Sequence, residues 1–562
     1  MRDSPPGPAV RPPPQRPNLG YKPGQSDPIL PSSTILSQSP LNSLVMPSRR
    51  DLLASLLAAP ATLTLGRAAF AQASPLQAAA AAVADGQAIS RDGLLAFARE
   101  VARSPYQAPR ADVPRALAQL SLDQYRQIRM KPEQRVWAGE NRGFVLDLLP
   151  AGNVFTTPVS IRTVDGGIIR DKRFAAEQYD FGSNAPLPAD AAVPFTGFRA
   201  YAALDGQTAV DEALVFQGAS LFRALARGQV FGVMARGLTL NVAEAQGEEF
   251  PSFRAFWIER PGPGATSIVV HALLDSDSVT GLYRFAVRPG DSTVCDVEVT
   301  LFPRVDLPHV GIAPMTANYL FAPNDRTNVD DVRGGVHDTQ GLQIWNGNGE
   351  WIWRPVTNPE TLQVSAFVDQ NPRGFGLLQR DRRFEAFNDL DARFERRPSV
   401  WIEPLGEWGQ GQVQLVEIPV NDEMNRNILA YWRPRVPLAR GGEHFFTYRM
   451  HWCWSPPERP PLATVTATRT GRAQGGGRRR RFLVDFSSDD FTDPTKVAGL
   501  RANLTHQRGR LSNVDGRLVP DLKLYRVAFD LDPEAANQVE LRLVLEREGQ
   551  PQSETWLYRW TP

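Results

Sequence analysis

Residues 267–302 read SIVVHALLDSDSVTGLYRFAVRPGDSTVCDVEVTLF. Three strand-like runs lie inside this stretch: SIVVHALL (267–274), YRFAVRP (283–289) and VCDVEVTLF (294–302). Each is rich in β-branched and aromatic residues, and Gly, Pro, Asp and Ser fill the gaps, as in strands joined by turns. QVQLVEIPV (412–420), FFTYRMHW (445–452) and VELRLVLE (539–546) repeat the pattern. Many strands at short intervals argue for an all-β sandwich architecture. Two stretches carry helical spacing instead. One is PRALAQLSLDQYRQIRM (114–130), where Pro114 is placed to start a helix; the other is DEALVFQGASLFRALAR (211–227).

The chain has 562 residues, 42% of them hydrophobic, enough for two or more domains with real cores. A boundary is expected at SPPERPPLATVTATRTGRAQGGGRRRR (455–481), where clustered prolines lead into Gly475–Gly477 and Arg478–Arg481. This divides the chain into a large β-domain (75–455), a linker (456–481) and a C-terminal sandwich (482–562) of immunoglobulin-like size. The arginine run reads as a solvated linker or hairpin tip.

Residues 1–45 are rich in Pro and Ser, cannot build a core, and read as disordered. From Met46, MPSRRDLLASLLAAPATLTLGRAAFAQA has paired arginines, a short apolar run and small-residue cleavage sites at 69–71 or 71–73. This is the pattern of a twin-arginine signal peptide over 46–73, which would make Met46 the true start and residues 1–45 untranslated. The expected destination is a periplasm. No other apolar run approaches the ~20 residues of a membrane span, so a protein not embedded in the membrane is expected.

Net charge is +1, which gives no electrostatic case for nucleic acid. Cys295 and Cys453 are the only cysteines, and the six histidines show no metal-ligand spacing, so neither a metal nor another cofactor is expected. Whether the two cysteines pair is open. Aromatics make up 9% of the chain, with 12 Trp against 7 Met. Such a tryptophan excess suits large β-cores, or sugar rings stacking on indoles.

Six segments resemble one family: GASLFRALARGQVFGVMARGL (218–238), GEEFPSFRAFWIERP (247–261), HDTQGLQIWNGNGEWIWRP (337–355), GFGLLQRDRRF (374–384), RRPSVWIEPLGEWGQGQVQLVEIP (396–419) and NDEMNRNILAYW (421–432). They are similar, in the same order, to segments of the periplasmic glucan biosynthesis proteins of types G and D, and the arginine pair looks more like type D. ETWLYRW (554–560) looks like that family's ending. The resemblance implies a galactose-mutarotase-like β-supersandwich followed by an immunoglobulin-like sandwich. It also implies action on the β-1,2-glucan backbone of osmoregulated periplasmic glucans. The role implied is that of an inverting β-1,2-glucanase or transglycosylase, or of a non-catalytic scaffold that holds glucan, with the membrane glucan synthase machinery as a further partner.

Asp338 matches the position of the family's proposed base. The proposed acid is the last residue of a D-E-T-N-D-like segment, which reads DEMNR (422–426) here. Arg426 therefore stands in the acid's place, and a guanidinium cannot deliver a proton at neutral pH. Glu423 is the remaining candidate acid. Trp345, Trp351 and Trp353 are candidate stacking platforms, and Arg236, Arg260, Glu249, Asp422 and Arg426 are candidate glucan contacts. Asp381, Asp389 and Asp391 sit among mixed charges and read as salt-bridged surface, while Trp401 and Trp408 read as core.

Overall fold

The computed structural model describes residues 74–562 apart from 111, 205–210 and 328. The segments read as untranslated (1–45) and as signal peptide (46–73) lie outside the described residues. What is described is nearly all β. The opening stretch forms three antiparallel strands, Ile268–Asp275, Val279–Arg288 and Thr293–Pro303. In register, Val270 faces Phe285 and Phe285 faces Val297, which puts one apolar row on one side. The alternate residues point the other way, where Arg284 pairs with Glu298 at 3.1 Å. Period-two alternation alone selects which face is buried.

These strands lie within a fifteen-stranded sheet. A ten-stranded sheet packs against it through aromatic rings. Phe216 meets Phe285 with centroids 5.1 Å apart, and Phe198 meets Phe256 at 5.2 Å. The helix Arg91–Arg103 covers the opposite face of the long sheet, burying Leu94 and Ala98 in a cluster with Trp257 and Phe302. Among the described residues no helix is long and apolar enough to cross a membrane.

Two elements differ from expectation. Residues 211–227 are not a helix but the strands Asp211–Gln217 and Leu221–Ala224. The turn between them places Gly218 and Ala219 at positive φ (86° and 48°), and Phe216 stacks on Phe222 across the hairpin at 5.0 Å. Burial of these rings in the inter-sheet core outweighs local helical spacing. Residues 114–130 form two short helices, Arg115–Ala118 and Leu122–Gln127, because Ser121 caps the second by accepting from the Gln124 N–H. Arg129–Met130 then pairs as a short strand with Tyr179–Asp180.

The C-terminal segment is joined to the rest by more than a linker. Thr464–Arg472, inside the stretch read as linker, is a strand paired with Arg480–Ser487. The intervening Gly475, Gly476 and Gly477 all take positive φ, which L side chains resist. The arginine run borders this hairpin turn, where Arg479 pairs with Asp532 and Arg481 with Asp530. Thr555–Trp560 pairs in parallel with Trp351–Pro355, so the fifteen-stranded sheet runs through both parts of the chain. Cys295 and Cys453 are free and buried; Cys295 faces Met450 in the register, three residues from Cys453.

A tryptophan-rich core fills this junction. Trp351, Trp353 and Trp401 cluster with Phe482, Phe529 and Trp556. Replacing Trp353 by Ala is expected to destabilise the protein by about 3–5 kcal/mol. Calorimetry should show one unfolding transition for 74–562, because the two parts share a sheet and a core. Two separate transitions, with only one moved by the substitution, would contradict this coupling.

Candidate functional site

The ten-stranded sheet buries one row of side chains and turns the alternate row outward. Ala235 and Met315 face the core, so their neighbours Arg236 and Thr316 belong to the outer face. The strand Val310–Ala317 ends there, and the chain passes through Asn318 into Tyr319–Phe321, which pairs with Val336–His337. Asp338 follows directly.

The Asp338 carboxylate is 1% exposed and lies among cationic and backbone donors. Oδ1 accepts from Arg397. Oδ2 accepts from Arg426 Nη1 at 3.2 Å and from the Asn318 N–H at 3.2 Å. The Asp338 N–H donates back to the Asn318 carbonyl at 2.8 Å. Arg426 also donates to the carbonyls of Gly232 (3.0 Å) and Thr316 (3.4 Å). Burial lowers the proton affinity of Arg426, the Asp338 carboxylate raises it, and repulsion from Arg397 and Arg236 lowers it again. The Arg397 guanidinium lies 4.0 Å from the centroid of the Phe394 ring, which holds its plane in place.

The loop 421–427 is docked beside this pair. Asp422 caps its own turn, accepting from the Met424 N–H at 2.9 Å and from Asn425 Nδ2 at 2.9 and 3.0 Å. Asn318 Nδ2 donates to the carbonyls of Glu423 (2.5 Å) and Asn425 (2.8 Å). Asn427 holds the backbone of Tyr319 from both sides. Asn318 thus ties the loop and Asp338 together. The Glu423 carboxylate, 39% exposed, pairs with Arg333 at 2.7 Å, and Arg333 also binds Asp331 and Asp389.

Of the residues singled out in the sequence, Asp338, Glu423, Asp422 and Arg426 come together. Arg236 lies near enough to Arg426 to repel it, but its guanidinium is held by Glu248 at 2.6 Å. The remaining candidates lie elsewhere in the fold. Arg260 is engaged by Glu140 and Asp165, outside the cluster around Asp338. Glu249 is a turn ligand: its oxygens accept from the Ser278 N–H (2.9 Å) and hydroxyl (2.6 Å). The tryptophans are packing residues. Trp351 and Trp353 are only 5% and 3% exposed, and half-buried Trp345 stacks on Trp351 at 4.7 Å with Arg373 on its ring.

Arg397, Asn318 and Arg333 are the residues the sequence reading missed. Each meets Asp338 or Glu423 through tertiary structure, so no spacing pattern could reveal them. As expected, Asp381 pairs with Arg383, Asp389 with Arg333, and Trp401 and Trp408 are buried. His337, beside Asp338, is buried between the rings of Tyr319 and Phe387, and its Nδ1 has no protein partner. Burial pushes its pKa down to about 4, with Asp338 acting in the opposite sense. Chemically, a buried carboxylate that accepts from two guanidiniums and an amide N–H is held as an anion.

Comparison with known proteins places the chain. A family model described as "Periplasmic glucan biosynthesis protein, MdoG" matches residues 89–560. The glucans biosynthesis protein G of Rhodopseudomonas palustris (strain ATCC BAA-98 / CGA009) is 45% identical over 83% of this chain and 92% of its own. That of Bradyrhizobium diazoefficiens is 42% identical over 92% of this chain and 100% of its own. The chain therefore belongs to the MdoG periplasmic glucan biosynthesis family, and its role lies in periplasmic glucan biosynthesis. Both relatives bear the type G name; the leaning toward type D rested on Arg49 and Arg50, outside the described residues. Among solved structures a polysaccharide lyase is similar at 12% identity with a TM-score of 0.15, covering 59% of this chain and 40% of its own. That likeness is too slight to bear on function.

The depressed His337 pKa has a stability consequence. The folded state holds the imidazole neutral, whereas the unfolded chain takes up a proton near pH 6.5. Stability is therefore complete above about pH 6.5 and is lost as pH falls toward 4, by an amount on the order of 3 kcal/mol. Denaturant titrations between pH 7 and 4 should show a shallower acid decline in His337→Gln than in the wild type. Parallel declines would remove His337 from the account.

Proposed function

We propose that the protein serves periplasmic glucan biosynthesis by binding the β-1,2-linked glucan backbone at the Asp338 site, without cutting it by a two-carboxylate mechanism. One observation carries this reading: Arg426, at the position of the family's proposed acid, is ion-paired to Asp338, at the position of the proposed base. Inverting cleavage needs a protonated carboxyl for the leaving oxygen and a free carboxylate for water, about 6.5–9.5 Å apart. Here the first is replaced by a permanent cation, and the second is spent on Arg397 and Arg426. Loss of general-acid help alone costs roughly 10²–10⁴-fold.

A binder suits the arrangement. The exposed carboxylates of Asp422 and Glu423 ride on a loop that Asn318 fixes in place, and fixed hydrogen-bonding groups are what sugar hydroxyls require. Export by the twin-arginine route and contact with the membrane synthase machinery belong to the same proposal. The second reading, hydrolysis or transglycosylation, is favoured by one observation: Glu423 stays 39% exposed on the loop docked beside Asp338.

The discriminating experiment incubates residues 74–562 with linear β-1,2-glucan and resolves products by size and anomeric form. The expected outcome is bound, uncut glucan. Shortened or cyclised chains that vanish in Glu423→Gln would overturn the binding reading and make Glu423 the acid.

A further inference from the structure

The same outer face carries a second recess at the far end of its strands. Where Gln410–Glu417 runs between Gln363–Gln370 and Ile428–Pro434, Val413 and Leu415 point into the core, so Gln412 and its even-numbered neighbours point out. The register sets Val368, Gln412 and Arg433 in one row across three strands, with Gln370 and Gln410 in the next. The hairpin turn carrying Asn348 closes one side, because the Gly347 N–H is held by both oxygens of Asp369 at 3.1 Å. The resulting groove has a volume of about 770 Å³, within the size range of ligand clefts.

Its lining is chemically specific. Among the described residues the side chains of Asn348 and Gln370 have no protein hydrogen-bond partner. Gln410 accepts from Arg435 at 2.8 Å and keeps its amide N–H groups free. Gln412 donates weakly to Gln414 at 3.4 Å and keeps its carbonyl free. Amides that both donate and accept match hydroxyl groups, which do the same. Val368, 83% exposed in their midst, offers apolar surface to the C–H face of a sugar ring.

We propose that this groove is a second saccharide site, holding a distal stretch of the same neutral glucan chain. The inference rests on the glucan-binding reading above. Arg426 lies before one end of the strand Ile428–Pro434 and Arg433 at the other, so the two sites stand about 23 Å apart at 3.3 Å per residue. A chain long enough to reach both gains from the raised effective concentration at the second site, and a short one does not.

The test compares wild-type 74–562 with the double variant Gln370→Ala/Gln412→Ala. The probes are long linear β-1,2-glucan and a β-1,2-linked oligosaccharide too short to span both sites. Both substitutions are on the surface, and an unchanged melting temperature checks folding. The expected result is about tenfold weaker binding of long glucan with unchanged binding of the short one. Equal affinities of the two proteins for long glucan would overturn the groove and leave the Asp338 site standing. Equal losses for both probes would uphold the groove and overturn the Asp338 site. A wild type that binds neither probe would overturn both.

Discussion

A buried carboxylate held between two guanidiniums fixes the geometry of the candidate site. Taking Asp338, Arg397 and Arg426 out of water costs several kcal/mol per ion, and their mutual attraction offsets that cost only with all three in place. The chain supplies the contacts that keep them there. Asn318 gives Asp338 an N–H and holds the 421–427 loop through its amide. Phe394 lies against Arg397, and the carbonyls of Gly232 and Thr316 accept further contacts from Arg426 Nη1. The 421–427 loop is thereby built as a fixed, charged surface.

The sandwich makes this construction affordable. Two sheets interlocked by phenylalanine and tryptophan rings form one continuous core, and the C-terminal strands extend the longer sheet. The outer face of the shorter sheet is then free to carry polar rows. It holds charged residues where strand ends meet the Asp338 loop, and amides where the edge strand meets the 346–349 turn. An extended, neutral, hydroxyl-rich polymer is the ligand whose shape and chemistry such a strip suits.

The sequence made the strands of 267–302 legible because alternation along a half-buried strand writes burial directly into residue order. It misled at 211–227, where Leu214, Leu221 and Leu225 recur at helical spacing, yet inter-sheet packing chose two short strands. At Trp351 and Trp353 composition cannot tell a sugar platform from a packed junction, and the fold buries both rings in the junction core. Asp338 and Arg426 were named through resemblance, yet their pairing was invisible across 88 positions. Arg397 carried no signal at all, because its role exists only once the strands that bring it to Asp338 have formed.

Whether Asp338 holds cations is tested directly by a double-mutant cycle: unfolding free energies of wild type, Asp338→Asn, Arg426→Gln and the double variant, measured in denaturant at pH 7. Asp338→Asn alone is expected to cost about 3–5 kcal/mol, because two guanidiniums lose their counter-charge. The double variant is expected to recover at least ~1 kcal/mol of the summed losses. An Asp338→Asn protein of wild-type stability, with additive effects and a lost glucan-cleaving activity, would contradict this and make Asp338 a working base.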